Sequence, residues 1–146
     1  MNALKSKAHP GFPGTIAAAV LALAAYSGLA LADQIKVTLS GSAEVPAVST
    51  SASGSGTITI NPDMSVSGSV TTTGVTATMA HIHNGAAGKN GPVIIPLTKS
   101  GDNTWSVPAG AKLTEAQYAA YKAGDLYVNV HSAEHKGGEI RGQLKP

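Results

Sequence analysis

Apolar and polar residues alternate along most of the chain beyond residue 33, which is the two-residue period of half-buried β-strands. Val, Ile and Thr fill these segments, and glycines recur at short intervals between them. The sequence Asn61-Pro62-Asp63 has the chemistry of a hairpin turn between the second and third segments. The pattern predicts eight strands, at residues 34–39, 56–60, 65–72, 78–83, 93–97, 103–107, 126–131 and 139–144.

One segment departs from this alternation. Thr114 and Gln117 have the spacing of a capping box, good helix formers follow them, and Gly124 lies where a helix would end. The segment therefore predicts one short helix. The whole pattern predicts a mainly β domain of two packed antiparallel sheets, a sandwich or flattened barrel, with the helix as a crossover.

The N-terminus has the pattern of a secretory signal. Lys5 and Lys7 precede a mainly apolar stretch over residues 15–31, and small residues at Ala30 and Ala32 predict cleavage after Ala32. An uncleaved membrane anchor is the alternative, although this stretch is at the lower limit of a membrane span. Cleavage leaves residues 33–146, the size of a single domain, in a periplasmic or secreted protein.

The charge and the cysteine content of the chain exclude several classes of partner and of metal site. Lys5 and Lys7 account for the net charge of +2, so the mature domain has eight basic and eight acidic side chains. Such a balance gives no electrostatic footprint for nucleic acid or for a membrane surface after signal cleavage. Because the chain has no cysteine, disulfides and thiolate metal sites are excluded. A transition-metal site would need imidazole, carboxylate or thioether ligands.

The histidines of the mature domain fall in two places. His81 and His83 lie two residues apart on a predicted strand, so both imidazoles face the same side of the sheet. His131 ends another predicted strand on its polar face, and His135 follows in the next loop. These residues are candidate metal ligands; hydrogen-bonded imidazoles at strand ends are the structural alternative.

Imidazoles without thiolate favour copper or zinc over magnesium or calcium. Met79 shares the strand face of the histidine pair and is expected to pack against the sheet; as a ligand instead, its thioether would favour Cu(I). On the last predicted strand, the two-residue period places Arg141 on the same face as Glu139. Arg141 would guide an anion to a metal, or pair with a carboxylate such as Glu139.

Three stretches resemble the chordin-type (CHRD) domain. They are Leu39-Ser40-Gly41-Ser42-Ala43-Glu44-Val45-Pro46, then His81-Ile82-His83-Asn84-Gly85 with Gly91-Pro92-Val93, and finally Tyr127-Val128-Asn129-Val130-His131 with Gly138-Glu139-Ile140-Arg141-Gly142-Gln143-Leu144. The resemblance covers nearly the whole mature chain. It implies an immunoglobulin-like β architecture in exported proteins.

A more distant resemblance is to copper/zinc superoxide dismutases, which share an HxH strand, a Val-His strand end and a later arginine. It implies a superoxide-dismutase-like Greek-key barrel in which His81, His83 and His131 are copper ligands and Arg141 is an anion-guiding catalytic residue. The segment between His83 and Val93 contains no histidine for a bridged zinc site, so a mononuclear site with His135 as a fourth ligand is expected.

Three functions follow from these patterns. The leading hypothesis is a copper carrier or scavenger, and the second is a superoxide dismutase-like copper enzyme. The third is an extracellular interaction module with structural histidines, although no feature identifies a protein partner. Exposed sheet edges would also allow a homodimer.

Overall fold

The computed structural model describes residues 30–146. The predicted signal segment, residues 1–32, lies outside this part except for its last three residues. In the described part, no helix has the length and apolar character needed to span a membrane. Leader cleavage stays a prediction.

The described chain is mainly β, as predicted, with one α-helix and one short 3-10 turn. All eight predicted strands are present. A ninth strand has only two residues, both exposed, and is too short to show an alternating pattern. The strands are β1 Asp33–Ser40, β2 Ser53–Ile60, β3 Val66–Thr73, β4 Ala77–Asn84, β5 Val93–Pro96, β6 Thr98–Lys99, β7 Thr104–Ser106, β8 Leu126–Ser132 and β9 Ile140–Leu144; the helix is α1 Glu115–Lys122, and the 3-10 turn is Gly41–Ala43.

The strands form one continuous antiparallel sheet in the order β5-β4-β8-β9-β1-β2-β3-β7-β6. Its two halves meet where β9 crosses β1, and these strands share the single register pair Ser40 and Arg141. A Cβ atom on Gly142 would lie 2.4 Å from the carbonyl oxygen of Thr38, so only glycine allows this close approach. The sheet curls here into a nearly closed sandwich, which confirms the predicted fold class.

The core fills the concave side of the curled sheet. Every second residue of β1 points into this core, namely Ile35, Val37 and Leu39, and their polar neighbours face outward. Burial of each such side chain contributes about 1.5–3 kcal/mol. Tyr121, which is fully buried, brings α1 onto this core.

The predicted capping box begins α1. The Oγ1 atom of Thr114 accepts a hydrogen bond from the backbone N–H of Gln117 at 3.2 Å, and the Gln117 side chain accepts from the Thr114 N–H at 2.9 Å. Gly124 follows the helix with a φ of +81°, a conformation that glycine adopts without strain. The predicted helix is therefore confirmed.

Strand β8 is buried on both faces along its whole length. One face contributes Leu126, Val128 and Val130 to the core, as the alternation predicts. The opposite, polar face is buried because three loops cover it: residues 44–50, 85–92 and 133–139. This covered polar layer contains the histidines.

Candidate metal site

The pairing of β4 with β8 brings three histidines together. In this register His83 is opposite Tyr127, His81 is opposite Asn129, and His131 lies two pairs further along. One ligand atom from each of His81, His83 and His131 lies within 4.8 Å of the other two. The alternation of side chains along β4 and β8 thus correctly predicted that the three imidazoles share one face of the sheet.

Backbone carbonyls fix the tautomers of two of these histidines. The Nδ1 atom of His131 lies 2.8 Å from the carbonyl oxygen of Lys136, and Nδ1 of His83 lies 2.9 Å from that of Gly91. Because a carbonyl oxygen only accepts, each Nδ1 donates, and the lone pair of each ring is on Nε2.

These two Nε2 atoms have different surroundings. Nε2 of His131 lies 3.0 Å from Nδ1 of His81. Nε2 of His83 is buried and has no hydrogen-bond partner among the residues that the structure describes. An unsatisfied buried acceptor typically costs about 1–3 kcal/mol, so its presence indicates a group that a ligand satisfies.

A layer of stacked side chains supports His83. The ring of Tyr127 lies parallel to the His83 imidazole, with 4.8 Å between ring centroids, and the Tyr127 hydroxyl accepts from the backbone N–H of Gly91 at 3.1 Å. Gly91 therefore contacts both rings through its backbone. A Cβ atom there would lie 1.7 Å from the carbonyl oxygen of Asn84, which excludes any other residue without a shift of the chain.

Arg141 is 1% exposed, with its guanidinium carbon 3.5 Å from the centroid of the Tyr127 ring. Its Nη2 atom donates to the carbonyl of Ala86 at 3.0 Å and to the Gln143 side chain at 3.3 Å. The guanidinium thus fastens the 85–92 loop to the sheet. Glu139, one predicted partner, instead accepts a hydrogen bond from Thr50.

Burial sets the electrostatics of the site. It lowers the pKa of both His81 and His83, and the charges that neighbouring histidines would carry lower them further. Both rings are therefore neutral at neutral pH, so their lone pairs are available to a metal ion. Glu44, close by, accepts a hydrogen bond from Asn129, and burial raises the pKa of its carboxyl to about 7.

His135 is not brought into the cluster. It lies in the turn after β8, where its backbone N–H donates to the Ser132 side chain. Its ring is absent from the group whose ligand atoms converge among the described residues. Nearness to His131 in the chain was therefore not a sufficient signal for a fourth histidine in this group.

The sequence patterns missed three residues that support the site: Tyr127, Asn129 and Glu44. The sequence signal for Tyr127 is its place on the polar face of β8, two residues before Asn129. Glu44 belongs to the first CHRD-like stretch, which the fold places beside the third.

The donor set fits a borderline transition-metal ion. Three imidazoles, one with an unpartnered buried nitrogen, match the ligand preferences of copper and zinc and differ from the oxygen ligands of calcium or magnesium.

Similarity to known proteins is found at the level of a domain family. No curated protein and no solved structure matches the chain significantly. The expected resemblance to copper/zinc superoxide dismutases is therefore without support from these comparisons. The model of the CHRD domain family matches residues 35–144, which include most of β1, all the later strands and the whole histidine cluster. The chain belongs to the CHRD domain family.

Proposed function

We propose that this protein is an exported copper-binding protein, a carrier or scavenger, in which His81, His83 and His131 bind a single copper ion. The observation that carries the proposal is the unpartnered Nε2 of His83, which lies buried beside two further imidazole nitrogens. The predicted signal segment and membership of the CHRD family support a periplasmic or secreted location.

Copper is preferred to zinc for two reasons. Divalent copper binds a given set of nitrogen ligands more tightly than zinc does. Of the side-chain types that close structural zinc sites, His, Cys, Asp and Glu, the cluster offers only three in the described residues, whereas such a site almost always has four. Zinc remains the competing ion that a titration must include.

Binding is preferred to superoxide dismutation because of Arg141. An arginine that draws anions from solvent has to present its charge to solvent. Arg141 is 1% exposed and hydrogen-bonded to the loop that covers the sheet, so it supports the site and does not face incoming anions.

Titration of the mature domain with Cu(II) and with Zn(II) tests the proposal. We expect one tight Cu(II) site in the parent, and an affinity lower by at least roughly tenfold in the H83A variant. H135A is the matched control, because His135 lies near His131 in the chain but outside the cluster; it should bind as the parent does. Equal Cu(II) affinity of H83A and the parent would contradict the proposal.

A further inference from the structure

A methionine beside the histidine cluster is exposed without a structural reason. The described large apolar residues that are exposed are Leu31, Met79 and Val93, and Leu31 precedes the domain. Met79 is 49% exposed, whereas the other described methionine, Met64, packs against the core. Met79 therefore contributes little burial energy to the fold.

The position of Met79 on β4 directs it to the metal site. Ala80 and Ile82 point into the core, so Met79 lies on the opposite face, the one that carries His81 and His83. In the register of β4 with β8, Met79 is directly opposite His131. Side chains that face each other across two strands have Cβ atoms about 4.5–5.5 Å apart, and the flexible methionine side chain spans such a gap.

A local irregularity fixes this register. The pairing of β4 with β8 shifts between Ala77 and Met79, and the Thr78 side chain donates to the carbonyl oxygen of His131 at 3.3 Å. The strand is thus fastened at the residue that precedes Met79. This contact holds Met79 and His131 side by side.

Met79 also lies on the open side of the cluster. His83 and His131 are 8% and 7% exposed, and His81, two residues from Met79, is the most accessible of the three histidines. A metal ion would therefore meet solvent on the side of His81 and Met79. A fourth ligand would approach the ion from that side.

We propose that the thioether of Met79 is a fourth ligand and makes the site selective for Cu(I). This inference rests on the proposed function, because it requires the three histidines to bind copper. Soft thioether ligands favour Cu(I), whereas Cu(II) favours tetragonal nitrogen and oxygen ligands. The site would accordingly hold reduced copper more tightly than three imidazoles alone.

The test compares Cu(I) and Cu(II) affinities in four proteins: the parent, M79L, M64L and H83A. Leucine keeps the apolar character and removes the sulfur, and M64L is the same change at a methionine away from the site. Cu(I) is measured without oxygen, by competition with a chromophoric Cu(I) chelator. We expect M79L to lose Cu(I) affinity about tenfold with little change for Cu(II), and M64L to match the parent. X-ray absorption of the Cu(I)-loaded parent should show one sulfur neighbour, which M79L lacks.

The outcomes separate the two proposals. If M79L keeps the Cu(I) affinity of the parent, or if the loaded parent shows no sulfur neighbour, the Met79 inference is wrong even when H83A loses copper. An equal loss of Cu(I) and Cu(II) affinity in M79L would also contradict it, because the selectivity would then not come from the sulfur. If H83A binds both ions as the parent does, the proposed copper site itself fails. Since Met79 is exposed, M79L should unfold at the same temperature as the parent, which verifies that the variant is folded.

Discussion

Backbone carbonyls place the protons on two of the three imidazoles. The sequence was enough to predict that His81 and His83 share a face with His131, since that requires only the alternation of side chains along a strand. It could not predict the acceptors at Gly91 and Lys136, because both belong to loops whose paths depend on contacts distant in sequence. The unpartnered nitrogen of His83, the main sign of a ligand site, follows from those loops.

Glu44 provides a prediction at the scale of a single residue. Burial raises the pKa of its carboxyl to about 7 from an ordinary value of 4.5, although the positive charge of Arg141 acts in the opposite direction. Between pH 4.5 and 7 the folded state binds a proton that the unfolded state does not. The contribution of Glu44 to the free energy of unfolding therefore falls as pH rises through this window, by up to about 1.4 kcal/mol per pH unit.

The E44Q variant removes this titration. We expect the free energy of unfolding of E44Q, relative to the parent, to rise from pH 4.5 to 7 in urea denaturation experiments on metal-free protein. Taking the difference matters because the lowered pKa values of His81 and His83 give the parent an opposite trend below pH 6.5. A difference that is constant over this range would show that Glu44 has an ordinary pKa.

At the scale of elements, prediction succeeded where the signal is local. The capping box of Thr114 and Gln117 and the glycine at residue 124 predicted α1. The alternating segments likewise predicted eight of the nine described strands. Strand β6 was missed because two exposed residues, Thr98 and Lys99, form a strand only by pairing with β7.

The N-cap of α1 gives a prediction at this scale. T114A removes the side-chain acceptor of the Gln117 N–H and should lower the free energy of unfolding by about 1 kcal/mol in denaturant titrations. T114S keeps the hydroxyl and should remain close to the parent. Copper affinity should be unchanged in both, because α1 packs on the core side of the sheet, away from the histidines. A T114A variant as stable as the parent would mean that the cap is not important to the fold.

At the scale of the whole molecule, the class of fold was predictable and the order of strands was not. Alternation indicated a sandwich or flattened barrel, but the contact of β9 with β1 joins residues about a hundred positions apart, for which the chain carries no local signal. This contact places Glu44 and its loop over β8, where they cover the polar layer. The strands β5 and β6 are the edges of the described sheet, and pairing into a homodimer through them stays a prediction.

The central claim is that the buried histidine cluster holds copper in the exported protein. Metal analysis of protein purified from the compartment to which its own cell exports it tests this most directly. We expect about one copper per chain in the parent and a strong depletion of copper in H83A purified in the same way, with H135A as the matched control. A folded parent protein that contains no copper, or that contains zinc in its place, would contradict the account.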